Sequence, residues 1–482
     1  MARQTAAAYF LIALLLPCLY LPAQGRAQAI GAGTTSSNDV SRTVMEARTV
    51  EAVIWGMPVV NYDLMYQAAL RNKAKFNQMV YWSRPSTWKN QTLTPNPDAI
   101  YLMPFISTKD VGPVVLEIPP ADDGVINGSV MDCWQTAIED VGPAGVDKGK
   151  GGKYLILPPN YKDKVPDGYI PMASGNNSNY ALLRSILKSG SDADITKAVA
   201  YAKRIRIYPL SQAASPPPTV FVDVLNDVYD SSIPYDLRFF QSLDRMVQSE
   251  PWLTRDKVMI DQLKTIGIEK GKTFNPDSAT QEALKSGIAT AHTLLEARYE
   301  SGFMPPYFDG THWSLPISAE FSKGIQSNYV DPNSYPVDSR GSAYSWAFFS
   351  TKHLGQGQFY LMTINDSQGR AFDGNRNYRL TVPAHMPVTQ YWSATAYDRA
   401  THTLIRNMKW ASRSSLNPGL QKNADGSVDI YLGPHAPQGQ ESNWIPTDAK
   451  GKFEVLFRFY GPQKALFEKS WKLPDLVEAA TP

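Results

Sequence analysis

Apolar residues recur at helical spacing between residues 40 and 76, where the regular pattern of the chain begins. This spacing predicts an amphipathic helix, and Ser41 is a suitable N-cap. Gly56 and Pro58 lie inside the pattern. Because proline removes a helical hydrogen bond and its ring clashes with the preceding turn, we expect the helix to break or kink there.

The next part of the chain mixes short strands with one helix. Apolar runs at 112–119 and 153–158, each bounded by turn residues, predict strands, and the Gly- and Lys-rich residues 145–152 predict a loop between them. Residues 191–203 have helical spacing with Ser191 as cap, and residues 204–208 then alternate like a strand.

A helical connector is predicted in the middle of the chain. The run Ser-Pro-Pro-Pro at 215–218 is a linker pattern. Three helical patterns follow it, beginning near residue 234, spanning 255–265 and spanning 277–299. The connector therefore extends to about residue 340.

From about Gly341 the apolar period changes to two, which indicates strands. Strands at this spacing are typical of an antiparallel sandwich or jelly roll. The predicted fold is α+β and β-rich, with a mixed β-sandwich module at 30–214, the linker and connector at 215–340, and a jelly-roll-like antiparallel module at 341–482. The predicted strands of the last module are 359–364, 378–382, 389–397, 404–407, 428–432 and 453–460.

The first 29 residues predict a signal peptide. Arg3 precedes a nearly uncharged, Leu-rich stretch, and Ala27-Gln28-Ala29 is a small-x-small cleavage pattern. The alternative is a transmembrane anchor, but the stretch is short for a span and Pro17 interrupts it. We therefore expect a periplasmic or secreted protein with no membrane span after cleavage.

Charge and cysteine content narrow the function classes. Removing residues 1–29 takes away two of the 47 basic residues and no acidic one, which leaves 45 of each sign. A formally neutral chain argues against a nucleic-acid partner, since phosphate contacts need a basic excess. Cys133 is then the single thiol, and we expect a buried apolar filler rather than a nucleophile, because no histidine lies nearby in sequence.

Distinctive motifs occur in both halves of the chain, first at residues 94–101, 112–115 and the strand at Asp132, and then at residues 391–398, 425–427, 443–446 and 458–462. The two sets resemble, in this order, the domains of bacterial proteins that join two domains of unknown function, 1254 and 1214. The resemblance implies two β-rich modules, the second jelly-roll-like, and an exported or envelope location in many members. Pro97 and Ala99 depart from the family, which more often has Asn and Thr there.

Common catalytic motifs are absent from the sequence. There is no Gly-x-Ser-x-Gly and no His-Glu-x-x-His, and Gly149-Lys150-Gly151-Gly152 lacks the spacing of a phosphate loop. No nucleotide cofactor is expected. Any other cofactor is unknown from the sequence, and a metal held by residues distant in the chain remains an open alternative. Ser-x-x-Lys occurs at Ser86 and at Ser185, which is expected by chance. The histidines at 353, 385, 402 and 435 look like exposed loop residues.

The candidate site is instead polar and aromatic. Asp98 and Tyr101 lie in a Pro-rich loop that can aim side chains at a ligand. Asp132 and Trp134 are predicted to share one strand face, as are Arg206 and Tyr208. We predict Asp98, Tyr101, Asp132 and Arg458 as catalytic residues. We predict substrate contacts from Asn96, Trp134, Arg206, Tyr397, Arg406, Trp444 and Tyr460, with those of the second module lining a concave surface.

These residue types suggest an enzyme that acts by hydrolysis or elimination on a polar small or oligomeric substrate. Asp98 would act as base or positioning acid, Tyr101 as proton donor, and Arg458 or Arg406 as anion holder. Asp98 and Asp132 could also form an acid–base pair. The alternatives are a binding protein for a sugar or aromatic ligand, and an envelope assembly protein, with a homo-oligomer possible in each case.

Overall fold

The computed structural model describes residues 37–315, 317–347, 351–353 and 357–479. The predicted signal peptide therefore lies outside the described residues. The described residues from 42 to 479 form one compact unit. The described helices are α1 (Ser37–Arg71), α2 (Asp192–Ala202), α3 (Leu237–Ser249), α4 (Lys257–Gln262), α5 (Ser278–Ser301), α6 (Ala319–Gln326), α7 (Val337–Trp346) and α8 (Lys464–Phe467).

The predicted break in α1 is wrong, because the helix continues through Gly56 and Pro58 to Arg71. Proline at 58 leaves the carbonyl of Ile54 without its usual helical donor. Gly341 of α7 packs against this carbonyl so closely that an added Cβ would lie 2.6 Å from the oxygen. The tertiary contact with α7 thus covers the irregular turn of α1.

The strands of the first half form two larger sheets and one small one. The six-stranded sheet has the order β11-β1-β3-β9-β5-β6, the four-stranded sheet β10-β4-β7-β8, and the pair β12-β2. The bounds are β1 (Gln78–Tyr81), β2 (Asn90–Gln91), β3 (Ile100–Ser107), β4 (Val114–Ile118), β5 (Ile126–Asp132), β6 (Ala137–Val141), β7 (Gly152–Leu157), β8 (Tyr169–Ala173), β9 (Ser178–Ser185), β10 (Arg206–Pro209), β11 (Phe221–Asp223) and β12 (Tyr229–Asp230).

The six-stranded sheet is covered on both faces, which explains why β3 and β9 are buried along their length. Tyr101 and Leu182 belong to the face that packs with α1, α3 and α5. Leu102 and Leu183 belong to the opposite face, which packs on the four-stranded sheet. The first module is therefore a helix layer on a two-sheet sandwich, consistent with the predicted mixed module.

The second half contains two four-stranded sheets, β13-β19-β15-β16 and β18-β17-β14-β20. Apolar side chains from both sheets share one core, so they form a sandwich. All pairs are antiparallel except β17 with β18. The bounds are β13 (Gln358–Thr363), β14 (Asn377–Val382), β15 (Val388–Asp398), β16 (Ser412–Ser414), β17 (Val428–Gly433), β18 (Trp444–Pro446), β19 (Phe453–Pro462) and β20 (Val477–Ala479).

The structure confirms the α+β, β-rich class and most predicted elements. Three further predictions are wrong in detail. α1 begins at Ser37, so the predicted N-cap Ser41 lies inside the helix. Residues 341–346 belong to α7, so the helical part ends later than expected. Residues 404–407 form no strand, since only Leu404 makes an isolated bridge to Tyr397. None of the described helices is both long and apolar enough to cross a membrane.

Candidate functional site

The outer face of β19 is polar and buried, and it is the base of the candidate site. Alternate residues of a strand point to opposite faces, so one set packs in the sandwich core. In a two-sheet sandwich, solvent would usually contact the other set. Here that set is covered by the loop at residues 94–98, by α5 and α7, and by the turn after β15. The outward set is Glu454, Leu456, Arg458 and Tyr460, each almost fully buried.

Arg458 joins this face to the loop at residues 94–98. Its Nη2 donates to the main-chain carbonyls of Thr94 at 3.0 Å and Pro95 at 3.3 Å, and also to the Tyr397 hydroxyl. Its Nη1 donates to Thr395 Oγ1 at 2.9 Å. A buried guanidinium is stable only when its donors have partners, so these oxygens compensate for its burial.

Asn96 connects the same loop to two stacked tyrosines. Its Nδ2 donates to the hydroxyls of Tyr391 at 3.0 Å and Tyr460 at 2.9 Å, whose ring centroids lie 4.3 Å apart. Its Oδ1 accepts from the main-chain N–H of Asp98, and its own N–H donates to the Tyr101 hydroxyl at 2.9 Å. Asn96 therefore contacts residues of three strands, two through its side chain (Tyr391 of β15 and Tyr460 of β19) and one through its main chain (Tyr101 of β3).

Tyr101 and Arg184 form a cross-strand pair on β3 and β9. Arg184 Nε lies 3.4 Å from the Tyr101 hydroxyl, and the guanidinium carbon lies 5.2 Å from the ring centroid. Arg184 is 4% exposed. Burial by itself would lower the pKa of Arg184, but the neighbouring hydroxyls of Tyr101, Tyr360 and Tyr460 raise it above its ordinary value. The guanidinium therefore stays charged.

Arg184 and Arg458 both line a cavity of about 330 Å³. They are the only charged side chains among the described residues of its wall, and the rest of the wall is mostly aromatic and aliphatic. The wall includes parts of β3, β9, α6, α7, β13, β19 and α8. Its other residues are Thr94, Tyr101, Leu315, Ile317, Phe321, Ser322, Ile325, Ala343, Tyr344, Trp346, Ala347, Thr351, Gln358, Phe359, Tyr360, Leu456 and Phe467.

Asp98 lies behind this wall rather than in it, because it is not one of the residues that line the cavity. Burial raises the pKa of Asp98 above its ordinary value, whereas Ser412, Arg458, Ser414 and Arg413 act to lower it. Asp98 is therefore placed to neutralise part of the charge of the buried arginines. It is not placed as a base that contacts a cavity ligand.

Asp132 and Trp134 lie at the other end of the sheet. In the register of the sheet, Asp132 of β5 and Ile106 of β3 lie opposite the same residue of β9. Ile126 of β5 and Ile100 of β3 lie opposite another residue, at the other end of β9. At about 3.3 Å per residue, the Ile100 and Ile106 ends are roughly 20 Å apart, so Asp98 and Asp132 cannot form the predicted acid–base pair.

The shared strand face of Asp132 and Trp134 is also wrong, because β5 ends at Asp132. Asp132 Oδ1 instead accepts from the main-chain N–H groups of Trp134 at 2.9 Å and Thr136 at 2.8 Å. The carboxylate stabilises this turn. Burial raises the pKa of Asp132, while Arg255 acts to lower it.

Three further predicted contact residues lie elsewhere. Arg206 packs over Tyr208 at 5.3 Å on the four-stranded sheet of the first half, so that pair does share a face. Arg406 is half-exposed and pairs with Asp230 at 2.7 Å. Trp444 lies on β18, in the other sheet from Arg458, and donates to the Gly433 carbonyl. The predicted single concave surface of the second module is therefore wrong for Arg406 and Trp444.

Sequence reasoning brought Asn96, Asp98, Tyr101, Tyr397, Arg458 and Tyr460 forward, and the structure places these six in one network. It missed Arg184, although a lone arginine that follows four apolar residues in β9 is a usable signal. It also missed Tyr360, which lines the cavity. In the described ranges, no three His, Cys, Asp or Glu side chains form a group that could hold a metal ion.

Comparisons with known proteins agree with this architecture. Residues 76–209 match the family described as "Protein of unknown function (DUF1254)", and residues 357–464 match "Protein of unknown function (DUF1214)". No curated protein matches the chain.

Two solved structures resemble the chain. One is the VPA0106 protein from Vibrio parahaemolyticus, with 18% identity and a TM-score of 0.55 over 90% of this chain and 100% of that one. The other is an uncharacterized protein from Burkholderia cenocepacia, with 10% identity and a TM-score of 0.41 over 92% of this chain and 96% of that one. The first likeness supports the fold alone. The chain is therefore a two-module protein that joins a DUF1254 domain to a DUF1214 domain.

Proposed function

We propose that the chain binds a small organic anion with an apolar body in the cavity at Arg184 and Arg458. The observation that carries this proposal is the wall itself, in which two buried arginines are the only charges among the described residues. Guanidinium groups favour carboxylate, sulfonate and phosphate partners. The anionic group would lie against the two arginines, and the Tyr101 hydroxyl would orient it.

The rest of the wall favours an aliphatic or aromatic body over a sugar. Much of this surface is apolar and offers few hydrogen-bond partners for the hydroxyls of a sugar ring. It includes Phe321, Trp346, Phe359 and Leu456. The volume of about 330 Å³ lies at the small end of the roughly 300–1,000 Å³ typical of ligand pockets. A single small molecule therefore fits this cavity better than an oligomeric substrate.

Fluorescence titration with two dyes tests the proposal. Anilinonaphthalene sulfonate carries an anionic group on an aromatic body, and phenylnaphthylamine has the same rings without the sulfonate. We expect wild type to bind the anionic dye more tightly. Arg184→Gln should weaken anionic dye binding by about tenfold or more and change neutral dye binding much less, since it removes one charged contact.

Arg406→Gln is the matched control, because it removes an arginine that lies outside the cavity and is paired with Asp230. It should leave both affinities unchanged. Near-UV circular dichroism of each variant verifies that the tertiary packing is intact. Equal affinity of wild type for the two dyes, or equal losses in the two variants, would contradict the proposal.

A second candidate is an enzyme in which Tyr101 donates a proton during hydrolysis or elimination. The Tyr101 hydroxyl accepts from Asn96 N–H and approaches Arg184 Nε, so both of its acceptor positions face donors. Its own hydrogen is then available for donation, and Tyr101 lines the cavity. This arrangement suits a proton donor beside an anionic substrate.

Mass spectrometry of ligands recovered after incubation distinguishes binding from turnover. An enzyme converts part of a panel of organic acid esters and β-substituted acids, and Tyr101→Phe loses that conversion while still binding the compounds. Asp98→Asn should reduce conversion less, because Asp98 does not line the cavity. Recovery of every compound intact with wild type would reject the catalytic candidate and leave the binding proposal in place.

We also propose export with cleavage after Ala29, on the sequence pattern of residues 1–29. Expression of the full chain in a bacterium with a periplasm tests this proposal. We expect periplasmic protein with Ile30 at its N-terminus. Cytoplasmic protein that keeps residues 1–29 would contradict it.

A further inference from the structure

His402 lies in the turn after β15 and has a carboxylate beside each ring nitrogen. Nδ1 is 2.8 Å from Glu454 Oε1, and Nε2 is 3.5 Å from Glu296 Oε1. Glu454 is fully buried and His402 is 4% exposed. The prediction of a solvated loop histidine is therefore wrong here. Two flanking carboxylates favour a proton on each ring nitrogen, which is the cationic form of the imidazole.

The groups around this pair come from three elements. Tyr299 of α5 donates to Glu454 Oε2 at 2.7 Å. Arg399, also in the turn, pairs with Glu296 at 2.7 Å and lies 4.6 Å from the Tyr299 ring. His292 of α5 faces Glu296 at 3.9 Å. The cluster therefore ties α5, β19 and the turn after β15 together.

The main chain of His402 connects this cluster to the cavity. Its carbonyl accepts from the Thr94 N–H at 2.7 Å. Thr94 has a φ of 39° and lines the cavity, and its own carbonyl accepts from Arg458. His402 likewise has a positive φ of 54°. Both residues adopt a conformation that is costly for a side chain with a Cβ, so surrounding contacts must hold it.

We propose that His402, as a cation between Glu454 and Glu296, is a positioning residue that holds Thr94 and, through it, Arg458 in the arrangement that binds the anion. His402 does not line the cavity and contacts no ligand itself. The inference relies on the proposed function only for what the cavity binds. The link from His402 to Thr94 can be measured without any ligand.

The first readout is ligand-free. Nitrogen NMR of the wild-type imidazoles, with His402 assigned by its loss in His402→Gln, should show both ring nitrogens protonated at pH 7.5. Hydrogen exchange of the Thr94 amide should be about tenfold faster or more in His402→Gln, because the turn that accepts its hydrogen bond opens more often. The Leu210 amide, which donates to the Pro113 carbonyl, should be unchanged and serves as an internal reference.

The second readout is a pH profile with anilinonaphthalene sulfonate. Burial would lower the pKa of His402, but Glu454 and Glu296 raise it to about 9. Wild-type affinity for the dye should therefore fall as the pH rises from 7 to 9.5. His402→Gln should bind about threefold or more weakly at pH 7 and should lose this pH dependence. If His402 had only a structural role, His402→Gln would lower the free energy of unfolding, but the dye affinity would keep its dependence on pH.

His312→Gln is the matched control, since His312 also pairs with a carboxylate, Asp475 at 2.8 Å, but does not line the cavity. It should leave Thr94 exchange and the dye profile unchanged. Unchanged Thr94 exchange in His402→Gln, or a neutral imidazole at pH 7.5, would overturn the inference. If wild type binds no dye, the proposed function fails, while the NMR and exchange results still decide the positioning role.

Discussion

Arg458 Nη2 donates to the main-chain carbonyl of Thr94 at 3.0 Å, across 364 positions of sequence. This hydrogen bond fixes a loop of the first module on the outer sheet face of the second. Thr94 and Arg458 then form part of one cavity wall. The candidate site therefore depends on the docking of the two modules and belongs to neither one alone.

Asn96→Ala should destabilise the chain by roughly 1–3 kcal/mol, because it leaves buried tyrosine hydroxyls without their donor. Tyr391 and Tyr460 both accept from the Asn96 side chain. Urea denaturation at neutral pH measures the change. Asn375→Ala, at an exposed asparagine, is the control and should alter the free energy of unfolding by less than about 0.5 kcal/mol. Equal effects of the two substitutions would argue against a structural role for Asn96.

His402 should make stability depend on pH in the alkaline direction. Its pKa of about 9 in the folded chain exceeds its ordinary value of 6.5. Charged His402 therefore stabilises the fold fully below about pH 6.5, and this contribution, roughly 3 kcal/mol at most, is lost as the pH rises through about 9.

Denaturation of wild type and His402→Gln between pH 6 and 9.5 measures this effect. The difference in the free energy of unfolding should be largest at pH 6 and should shrink toward pH 9.5. A constant difference over this range would mean that His402 does not change its charge on unfolding. The same measurement on His312→Gln shows how much another His–carboxylate pair contributes to the free energy of unfolding.

Gly341→Ala should destabilise the chain, although alanine is usually the better helix former by about 1 kcal/mol. The added Cβ would lie 2.6 Å from the Ile54 carbonyl, so α7 must move away from α1. We expect a lower melting temperature, because overpacking of this kind typically costs about 1–3 kcal/mol. Ser342→Ala, at the next position of α7, should leave the melting temperature nearly unchanged. A Gly341→Ala variant that melts higher would show that the helices do not pack this closely.

Cys133 should be unreactive in the native protein. It is fully buried, and burial, with Glu250 and Asp132 nearby, raises the pKa of the thiol well above its ordinary value. In protein that begins at Ile30, where Cys133 is the single thiol, a thiol-disulfide reagent should react at least about a hundredfold more slowly in buffer than in guanidinium. Rapid labelling of the native protein would contradict the buried-filler interpretation.

The regular elements were largely predictable because they depend on local patterns. Ser191 caps α2 as expected, and Asp277 caps α5. The alternation of β15 and β19 is also visible in the sequence. Continuation of α1 past Pro58 was not predictable from local patterns, because the residue that packs on the Ile54 carbonyl, Gly341, lies almost 300 positions later.

The candidate site was predictable only in part. The polar and aromatic residues at 94–101 and on β15 and β19 drew attention by their chemistry, and they do meet. Asp132 and Arg406 have the same chemistry but serve a turn and a surface ion pair. For Asp132 the strand register decides the outcome, since register sets which end of a sheet a side chain occupies. Arg406 belongs to no described strand, and its ion pair with Asp230 directs it away from the cavity.

Thermal unfolding of wild type with paired ligands tests the central claim most directly. Each pair is a carboxylic acid and its primary amide, such as octanoate with octanamide and cinnamate with cinnamamide. A ligand that binds only the folded chain raises the melting temperature by mass action. We predict that the acids raise it in wild type, that the amides do so much less, and that Arg184→Gln removes the difference. Equal shifts for acids and amides, or no shift with any pair, would contradict an anion-binding cavity.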